Sequence, residues 1–311
     1  MQRIEAFDIL KGWGIIFMIV AHTYGPNFMI WDFIYAFHMP LFFLVTGYFF
    51  KQKPTSELIR KNFYHLLVQY ITLCIIITAI TQFRHTHSIQ RDIESTLYGM
   101  GPGWFLLAMF MARLEFKYLL KLFPNYYLAI SLIISTSICL IAYHNNISTF
   151  LSFFPSLASL FFLSIGFYIK QHNLQVLFNK YSIFFTFICL IFWIITSLYG
   201  KVELSQCIFK LSIIDYAGSL GGTFLFFMLS QIIDKKNSCI KNILSYAGRY
   251  SLVILFFHSI DYCVPVWYLL TPYMPHTILL PCILIIRLLF VTICVIITFH
   301  IKWLQAFFKI Q

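Results

Sequence analysis

Charged residues are scarce in this chain of 311 residues. Asp, Glu, Lys and Arg make up 11% of the sequence and hydrophobic residues 60%, whereas about 25% of a soluble domain is charged. So few charges cannot cover a water-facing surface, which excludes an ordinary soluble protein. We expect an integral membrane protein in contact with the lipid bilayer, and its 36 Phe and 19 Tyr residues suit lipid contact and interfacial belts.

Paired cysteines are also missing. None of the eight cysteines forms a C-x-x-C pair, and most lie in apolar runs, where cysteine behaves as a small hydrophobic residue. The pattern predicts neither a disulfide framework nor a zinc site, and we expect no metal. The net charge of +11 would fit nucleic acid, but Lys and Arg collect in the cytoplasmic loops of membrane proteins. We therefore expect no nucleic-acid partner.

Long apolar stretches fill the chain and leave no room for a separate soluble domain. A spanning helix needs about 20 mostly apolar residues. The sequence predicts an all-α polytopic membrane protein with about ten transmembrane helices in one domain, residues 1–311. The predicted spans are 9–24, 29–50, 64–82, 103–121, 125–143, 151–169, 181–200, 211–233, 248–270 and 277–301.

The basic residues are distributed unequally between the two sides of these spans. Sixteen Lys and Arg residues lie on the side of the N-terminus, and four lie on the opposite side, namely Arg84, Arg91, Lys201 and Lys210. Because positive charge favours the cytoplasmic side, the bias predicts that both termini are cytoplasmic.

Ionisable residues inside a span are costly and usually face a cavity or a partner. In the first span Lys11 and His22 are eleven residues apart, about three helical turns, so they share one stripe about 16 Å long. Asp8 lies on the same side as Lys11. As alternatives, Lys11 fits an interfacial lysine that extends to the headgroups, and His22 fits a packing residue.

The second span carries His38 in "FHMPLFFLVTGYFF" (37–50). A short turn at Gly25-Pro26-Asn27 makes the first two spans antiparallel neighbours. His22 and His38 then enter the membrane from the same face and could share one cavity, toward which Pro40 could bend the helix.

Three later stretches carry further candidates. Arg60 and Lys61 lie in a basic cytoplasmic loop, which fits either an orientation anchor or a phosphate site. Trp104, in "MGPGWFLLAMF" (100–110), fits an interfacial belt or a sugar-facing wall. His258 and Asp261 are three residues apart, which fits an oriented catalytic pair or a packing pair.

Five stretches together resemble the acyltransferase 3 family, and within it the branch of fucose 4-O-acetylase-like sugar acetyltransferases. They follow in the order of the family and run through most of the chain. They are Asp8-Ile-Leu-Lys11-Gly12 with His22, "FHMPLFFLVTGYFF" (37–50), "IRKNFYHLLVQYI" (59–71), "GWFLLAMF" (103–110) and "AGRYSLVILFFH" (247–258). Two positions depart from the usual pattern: Lys11 stands where arginine is frequent, and Thr46-Gly47 replaces Ser-Gly.

The resemblance implies about ten transmembrane helices and transfer of an acyl group, usually acetyl, from cytosolic acyl-CoA. The acceptor it implies is a hydroxyl of a cell-surface glycan or a lipid-linked sugar. We expect a multi-pass acyltransferase of the bacterial inner membrane, with acetyl-CoA as donor substrate.

Acyl transfer to a hydroxyl needs a base and a group that stabilises the oxyanion. We expect His22 to be the base and His38 to assist it or to carry the acyl group transiently. Asp8 and Lys11 would orient the donor, and Arg60 and Lys61 would hold its phosphates. Trp104 and His258 would line the acceptor side.

A transporter of a glycolipid or of a proton-coupled solute is the alternative, because intramembrane Lys, Asp and His residues also suit proton relays. The chain shows no paired repeat with matching broken helices, which many transporters have. A structural scaffold is a third option, but it would leave the two intramembrane histidines unexplained.

Overall fold

A computed structural model describes residues 4–99, 101–145, 150–173, 182–264 and 266–308. Nearly all of these residues are helical. The helices are α1 (Glu5–Tyr24), α2 (Met29–Tyr35), α3 (His38–Tyr48), α4 (Thr55–Asn62), α5 (Val68–Phe83), α6 (Ile89–Tyr98), α7 (Trp104–Leu122), α8 (Tyr127–Asn145), α9 (Phe153–Gln171), α10 (Ser182–Tyr199), α11 (Ile213–Asp234), α12 (Cys239–Arg249), α13 (Ser251–Cys263), α14 (His276–His300) and α15 (Lys302–Phe308).

Six segments of the described residues are helical, long and apolar enough to cross a membrane: Glu5–Tyr24, Met29–Tyr48, Thr55–Phe83, Phe150–Gln171, Ile213–Asp234 and Thr277–His300. A seventh is obtained if α12 and α13, bent by 75°, count as one span. The chain is therefore an all-α polytopic membrane protein, as its composition predicts.

The predicted spans fall mostly on helical residues, but 29–50 is divided between α2 and α3, and 248–270 covers the end of α12, α13 and part of a 3-10 segment. Residues 181 and 265 lie outside the described residues. The described helices α8 and α10 contain shorter apolar segments than a full span. α7 carries four charged residues, Arg113, Glu115, Lys117 and Lys121, and is not among the candidate spans. The count of ten spans and the cytoplasmic position of both termini stay predictions.

The second span is interrupted where Pro40 acts. Proline removes the hydrogen bond to the carbonyl four residues earlier and its ring clashes with that carbonyl, which here belongs to Ala36. Helix α2 ends at Tyr35, Phe37 departs from helical angles at φ −139°, and α3 begins at His38. The interruption leaves the Ile34 carbonyl accepting from the Phe37 N–H at 3.2 Å and bonded to the His38 ring at 3.0 Å.

Small residues bring two pairs of helices into backbone contact, as is common in membranes. A Cβ atom added to Gly248 of α12 would lie 1.7 Å from the carbonyl oxygen of Asp8 in α1. A Cβ added to Gly47 of α3 would lie 2.0 Å from the carbonyl oxygen of Leu163 in α9. These contacts fix the two histidine-bearing helices against the rest of the bundle.

A short hairpin joins α10 to α11. Its strands β1 (Val202–Glu203) and β2 (Ile208–Phe209) are antiparallel, with Val202 opposite Phe209. The carboxylate of Asp215, at the start of α11, accepts from the backbone N–H of Leu211 at 2.8 Å. The hairpin therefore has a defined position at one end of the bundle.

Helix α6 is held at the same end of the bundle by Asp92. Burial alone would raise the pKa of this carboxyl group, but hydrogen bonds from Thr81, Gln82 and His87 outweigh burial, so the pKa lies below its usual value. This anchor positions the segment that leads from Tyr98 through the 3-10 turn Gly101–Gly103 to Trp104.

Candidate active site

A small cavity brings His22 and His38 together. It has a volume of about 30 Å³, and Tyr35, Trp104 and Ser205 are also part of its wall. We call it the histidine cavity. The turn between α1 and α2 and the interruption before α3 direct both imidazoles to this one space, so the expectation of a shared cavity is consistent with the geometry.

The backbone sets the tautomer of His38. Its Nδ1 lies 3.0 Å from the carbonyl oxygen of Ile34, and because a carbonyl can only accept, Nδ1 carries the proton in the neutral ring. Nε2, at the other edge of the ring, then holds a lone pair, and it has no hydrogen bond to another described residue. His38 is 2% exposed. It is a buried imidazole whose Nε2, in the neutral ring, is available as a nucleophile.

His22 forms hydrogen bonds through both ring nitrogens. Its Nδ1 lies 2.9 Å from Nε2 of His258, and its Nε2 lies 3.1 Å from the hydroxyl oxygen of Tyr35. An Asp261 carboxylate oxygen lies 3.9 Å from Nδ1 of His258 and favours a proton on that nitrogen. With that proton on Nδ1, His258 Nε2 accepts from His22 Nδ1, and His22 Nε2 accepts from the Tyr35 hydroxyl. In this tautomer the basic nitrogen of His22 is the one bonded to Tyr35, a residue of the histidine cavity.

A buried arginine holds this arrangement in place. Arg287 is 1% exposed although its helix, α14, is the most apolar of the candidate spans. Its guanidinium forms an ion pair with Asp261 at 2.9 Å and donates to the carbonyl oxygen of His22 at 3.1 Å and to the hydroxyl of Thr23 at 3.2 Å. Trp267 donates to the other oxygen of Asp261. Arg287 thus ties α14 and α13 to the end of α1 that bears His22.

A second, apolar cavity of about 60 Å³ adjoins the histidine cavity. Met18 and Met39 contribute to the walls of both. The rest of its wall comes from Ile15, Phe42, Phe105, Ser251, Leu252 and Leu255. Ile15 lies one helical turn from Lys11 along α1, so this apolar cavity extends from the histidines toward the end of α1 that carries Lys11.

A third cavity, of about 260 Å³, lies on the other side of the histidines. His22, Tyr35, Trp104 and Ser205 contribute to both it and the histidine cavity. We call it the polar cavity because Glu203, Gln206, Tyr98 and Tyr262 complete its wall. The order of the cavities is therefore apolar cavity, histidine cavity, polar cavity. His22 lies between the histidine cavity and the polar cavity.

The other predicted site residues, Asp8, Lys11, Arg60, Lys61 and His258, are not part of the described wall of the histidine cavity. Lys11 forms an ion pair with Asp8 at 2.9 Å, and Asp8 is 3.9 Å from Arg249. Along the helix axis Lys11 is about 16 Å and Asp8 about 21 Å from His22. Arg60 and Lys61 are exposed on α4. His258 stands behind His22 and is not part of the described wall of any of the three cavities.

Sequence reasoning assigned no role to Tyr35 or Arg287. Tyr35 precedes His38 by three residues, and their ring centroids are 4.8 Å apart, so helical spacing was the available signal. The sequence feature that could have identified Arg287 is its isolated charge within Thr277–His300, the most apolar of the candidate spans. Two fully buried amides, Asn62 and Gln69, were also missed, and neither has a hydrogen-bond partner among the described residues.

A comparison with protein families identifies the chain. The model of an acyltransferase domain, acyltransferase 3, matches residues 4–304. The chain belongs to the acyltransferase 3 family. No curated protein and no solved structure matches it. Family membership makes this chain a membrane acyltransferase.

We predict that Arg287→Leu destabilises the protein strongly, because it leaves Asp261 buried without its counter-ion. Removing one partner of a buried pair costs about 3–5 kcal/mol, while replacing both with apolar residues is often neutral. The double variant Arg287→Leu/Asp261→Leu should therefore recover most of the loss. Thermal unfolding of the purified protein in detergent, followed by tryptophan fluorescence, measures both effects.

Arg84→Leu is the control, since Arg84 is exposed and the same charge is removed. An Arg287→Leu protein that unfolds at the temperature of the parent protein would show that the ion pair does not hold the helices together.

Proposed function

We propose that this acyltransferase moves an acetyl group from cytosolic acetyl-CoA to a hydroxyl of a cell-surface glycan or lipid-linked sugar. The observation that carries the proposal is the pair of basic imidazole nitrogens, Nε2 of His22 and Nε2 of His38, in one small buried cavity. Thioester transfer needs a nucleophile and a base, and neutral imidazoles supply both near neutral pH.

The donor step takes place at His38. Its Nε2 attacks the thioester carbonyl carbon, the C–S bond breaks, and the CoA thiolate leaves with the electron pair of that bond. The acetyl group is then held on His38 as an acyl-imidazolium, whose Nδ1 proton is still donated to the Ile34 carbonyl. The Tyr35 hydroxyl contributes to the same cavity. When it turns away from His22 Nε2, its partner at 3.1 Å, it donates to the developing oxyanion and leaves that nitrogen free to act as the base.

The acceptor step uses His22. The acceptor hydroxyl enters from the polar cavity and gives its proton to His22 Nε2, while its oxygen attacks the acetyl carbon. The C–N bond breaks and its electron pair returns to His38. His258, with Asp261 behind it, holds the His22 tautomer that accepts the proton, much as an aspartate orients the histidine of a catalytic triad. His22 then releases this proton to solvent, which returns both histidines to their starting states.

The donor approaches from the opposite side. The apolar cavity, of about 60 Å³, has room for the thioester end of the pantetheine arm of CoA, and Asp8 and Lys11 lie beyond its Ile15 end. Arg60 and Lys61 are exposed cations suited to CoA phosphates. This arrangement, with the positive-inside bias, supports a chain in the bacterial inner membrane whose Lys11 end faces the cytoplasm. It also supports the fucose 4-O-acetylase-like branch, in which a small acyl group is delivered to a sugar.

A small acyl group is favoured by the size of the histidine cavity. About 30 Å³ leaves little room beside the two imidazoles, and Met18 and Met39 separate this space from the apolar cavity. Acetyl is the acyl group that needs least room, which supports acetyl-CoA as the donor.

We predict that the two histidines can be separated kinetically. With radiolabelled acetyl-CoA and membranes containing the protein, His38→Ala should release no free thiol and transfer no label. His22→Ala should release thiol once per protein and transfer label about 10²–10⁴-fold more slowly, the usual contribution of a general base. Thiol release and label in the glycan and lipid fractions are the measurements.

His300→Ala is the matched control, because this imidazole is at the far end of α14, where it bonds only to the Ile296 carbonyl among the described residues. Full transfer by His38→Ala would contradict the relay. A transporter would release no thiol from any variant.

We predict that Met39→Ala broadens the range of acyl donors. Shortening this side chain joins the histidine cavity to the apolar cavity, so longer acyl groups gain space near the histidines. Rates with acetyl-, butyryl- and hexanoyl-CoA should shift toward the longer donors relative to the parent protein. Leu229→Ala, at an exposed position of α11, is the control, and an unchanged donor profile in Met39→Ala would contradict the size argument.

A further inference from the structure

The polar cavity has a wall whose chemistry the transfer steps do not use. The hairpin between α10 and α11 contributes Glu203, Ser205 and Gln206, a carboxylate, a hydroxyl and an amide. Tyr98 and Tyr262 contribute aromatic surface, and Trp104 continues it toward the histidines. The cavity therefore combines hydrogen-bonding groups with aromatic faces at one end of the protein.

We propose that the polar cavity binds one uncharged pyranose ring of the acceptor, with Glu203 and Gln206 as the residues that select its hydroxyl pattern. This inference rests on the proposed function, because it identifies the acceptor subsite of that reaction. It goes further in naming the size and charge of the ligand and the hairpin that recognises it.

The chemistry of the wall points to an uncharged polyol. A carboxylate accepts hydrogen bonds, and an amide both donates and accepts, which matches the neighbouring hydroxyls of a sugar ring. Aromatic side chains supply apolar surface with a polar handle for the C–H faces of such a ring. None of the described residues of this wall is Lys or Arg, so the wall itself offers no cation to a phosphate.

The size of the cavity suits a single sugar ring. Its volume of about 260 Å³ lies just below the range of about 300–1,000 Å³ that holds drug-sized ligands. Since His22 is part of its wall, the hydroxyl nearest Nε2 would be the one that is acylated. The orientation of the ring, which Glu203 and Gln206 would set, then decides which carbon carries the acyl group.

The hairpin has a defined shape without a ligand. Cys207 is fully buried and has a positive φ of 56°, a conformation that persists only where the surroundings enforce it. Phe209 stacks on Tyr216 of α11 with ring centroids 4.3 Å apart. Glu203 is also fixed by an ion pair with Lys201 at 3.3 Å. A preformed wall lowers the ordering cost of binding.

Binding of sugars to the full-length protein in detergent tests the inference without any donor. The probes are methyl α-L-fucopyranoside and methyl α-D-glucopyranoside, with glucose 1-phosphate and mannitol as the charged and acyclic comparisons. Tryptophan fluorescence reports binding because Trp104 is part of the wall. We expect saturable binding of at least one methyl glycoside and weaker binding of both comparison compounds.

Glu203→Gln and Gln206→Ala should each weaken glycoside binding about ten-fold, the effect of losing one or two good hydrogen bonds. In the transfer assay they should raise the KM for the acceptor by a similar factor and leave the KM for acetyl-CoA unchanged. Lys210→Ala is the control, because Lys210 is exposed on the same hairpin and outside the described wall. Two variants are used so that a folding defect in one does not decide the result.

The outcomes separate this inference from the proposed function. Transfer of label with an acceptor KM that neither variant changes would overturn the sugar subsite and leave the acyltransferase reaction standing. Binding of a glycoside that depends on Glu203 or Gln206, in a protein that releases no thiol from acetyl-CoA, would support the subsite and overturn the proposed reaction. Tighter binding of glucose 1-phosphate than of either glycoside would overturn the claim that the polar cavity selects an uncharged ligand.

Discussion

The buried ion pair between Arg287 and Asp261 is the contact on which the histidine cavity depends. A charge in the middle of an apolar helix is costly in a membrane, and here the guanidinium is balanced by one carboxylate and two acceptors at the end of α1. The pair therefore sets the rotation of α13 and α14 relative to α1. That rotation places His258 against His22 and leaves the basic nitrogen of His22 bonded to Tyr35, a residue of the cavity.

The cavities on the two sides of the histidines differ in polarity. Apolar space lies on the Lys11 side of the histidines, and polar, aromatic space lies on the hairpin side. Met18 and Met39 lie between the apolar cavity and the histidine cavity, and His22 lies between the histidine cavity and the polar cavity. In the proposed function a thioester arm and a sugar would have separate approaches to one small reaction space, and only the acyl group would pass between them.

The sequence predicted the parts of this site that depend on local spacing. The apolar stretches located the helices, the Lys11–His22 spacing placed both residues on one stripe, and the short turn after Tyr24 brought His22 and His38 together. Contacts between distant helices were not predictable, because periodicity does not fix how a helix is rotated in a bundle. The sequence paired His258 with Asp261, but the hydrogen bond of His258 is to His22, 236 residues away. The position of the hairpin in the polar cavity and the partners of Arg287 also depend on contacts between distant parts of the chain, so the sequence did not predict them.

Sidedness tests the central claim most directly, namely that the acyl group passes through the histidine cavity from a cytosolic donor to an acceptor on the other side. Sealed inverted and right-side-out vesicles from cells that make the protein would be given radiolabelled acetyl-CoA in the external buffer. The account predicts label in the glycan or lipid fraction of inverted vesicles alone, where the external donor meets the cytoplasmic face. Equal labelling of sealed right-side-out vesicles would contradict it, because the donor would then reach the histidines from the hairpin side.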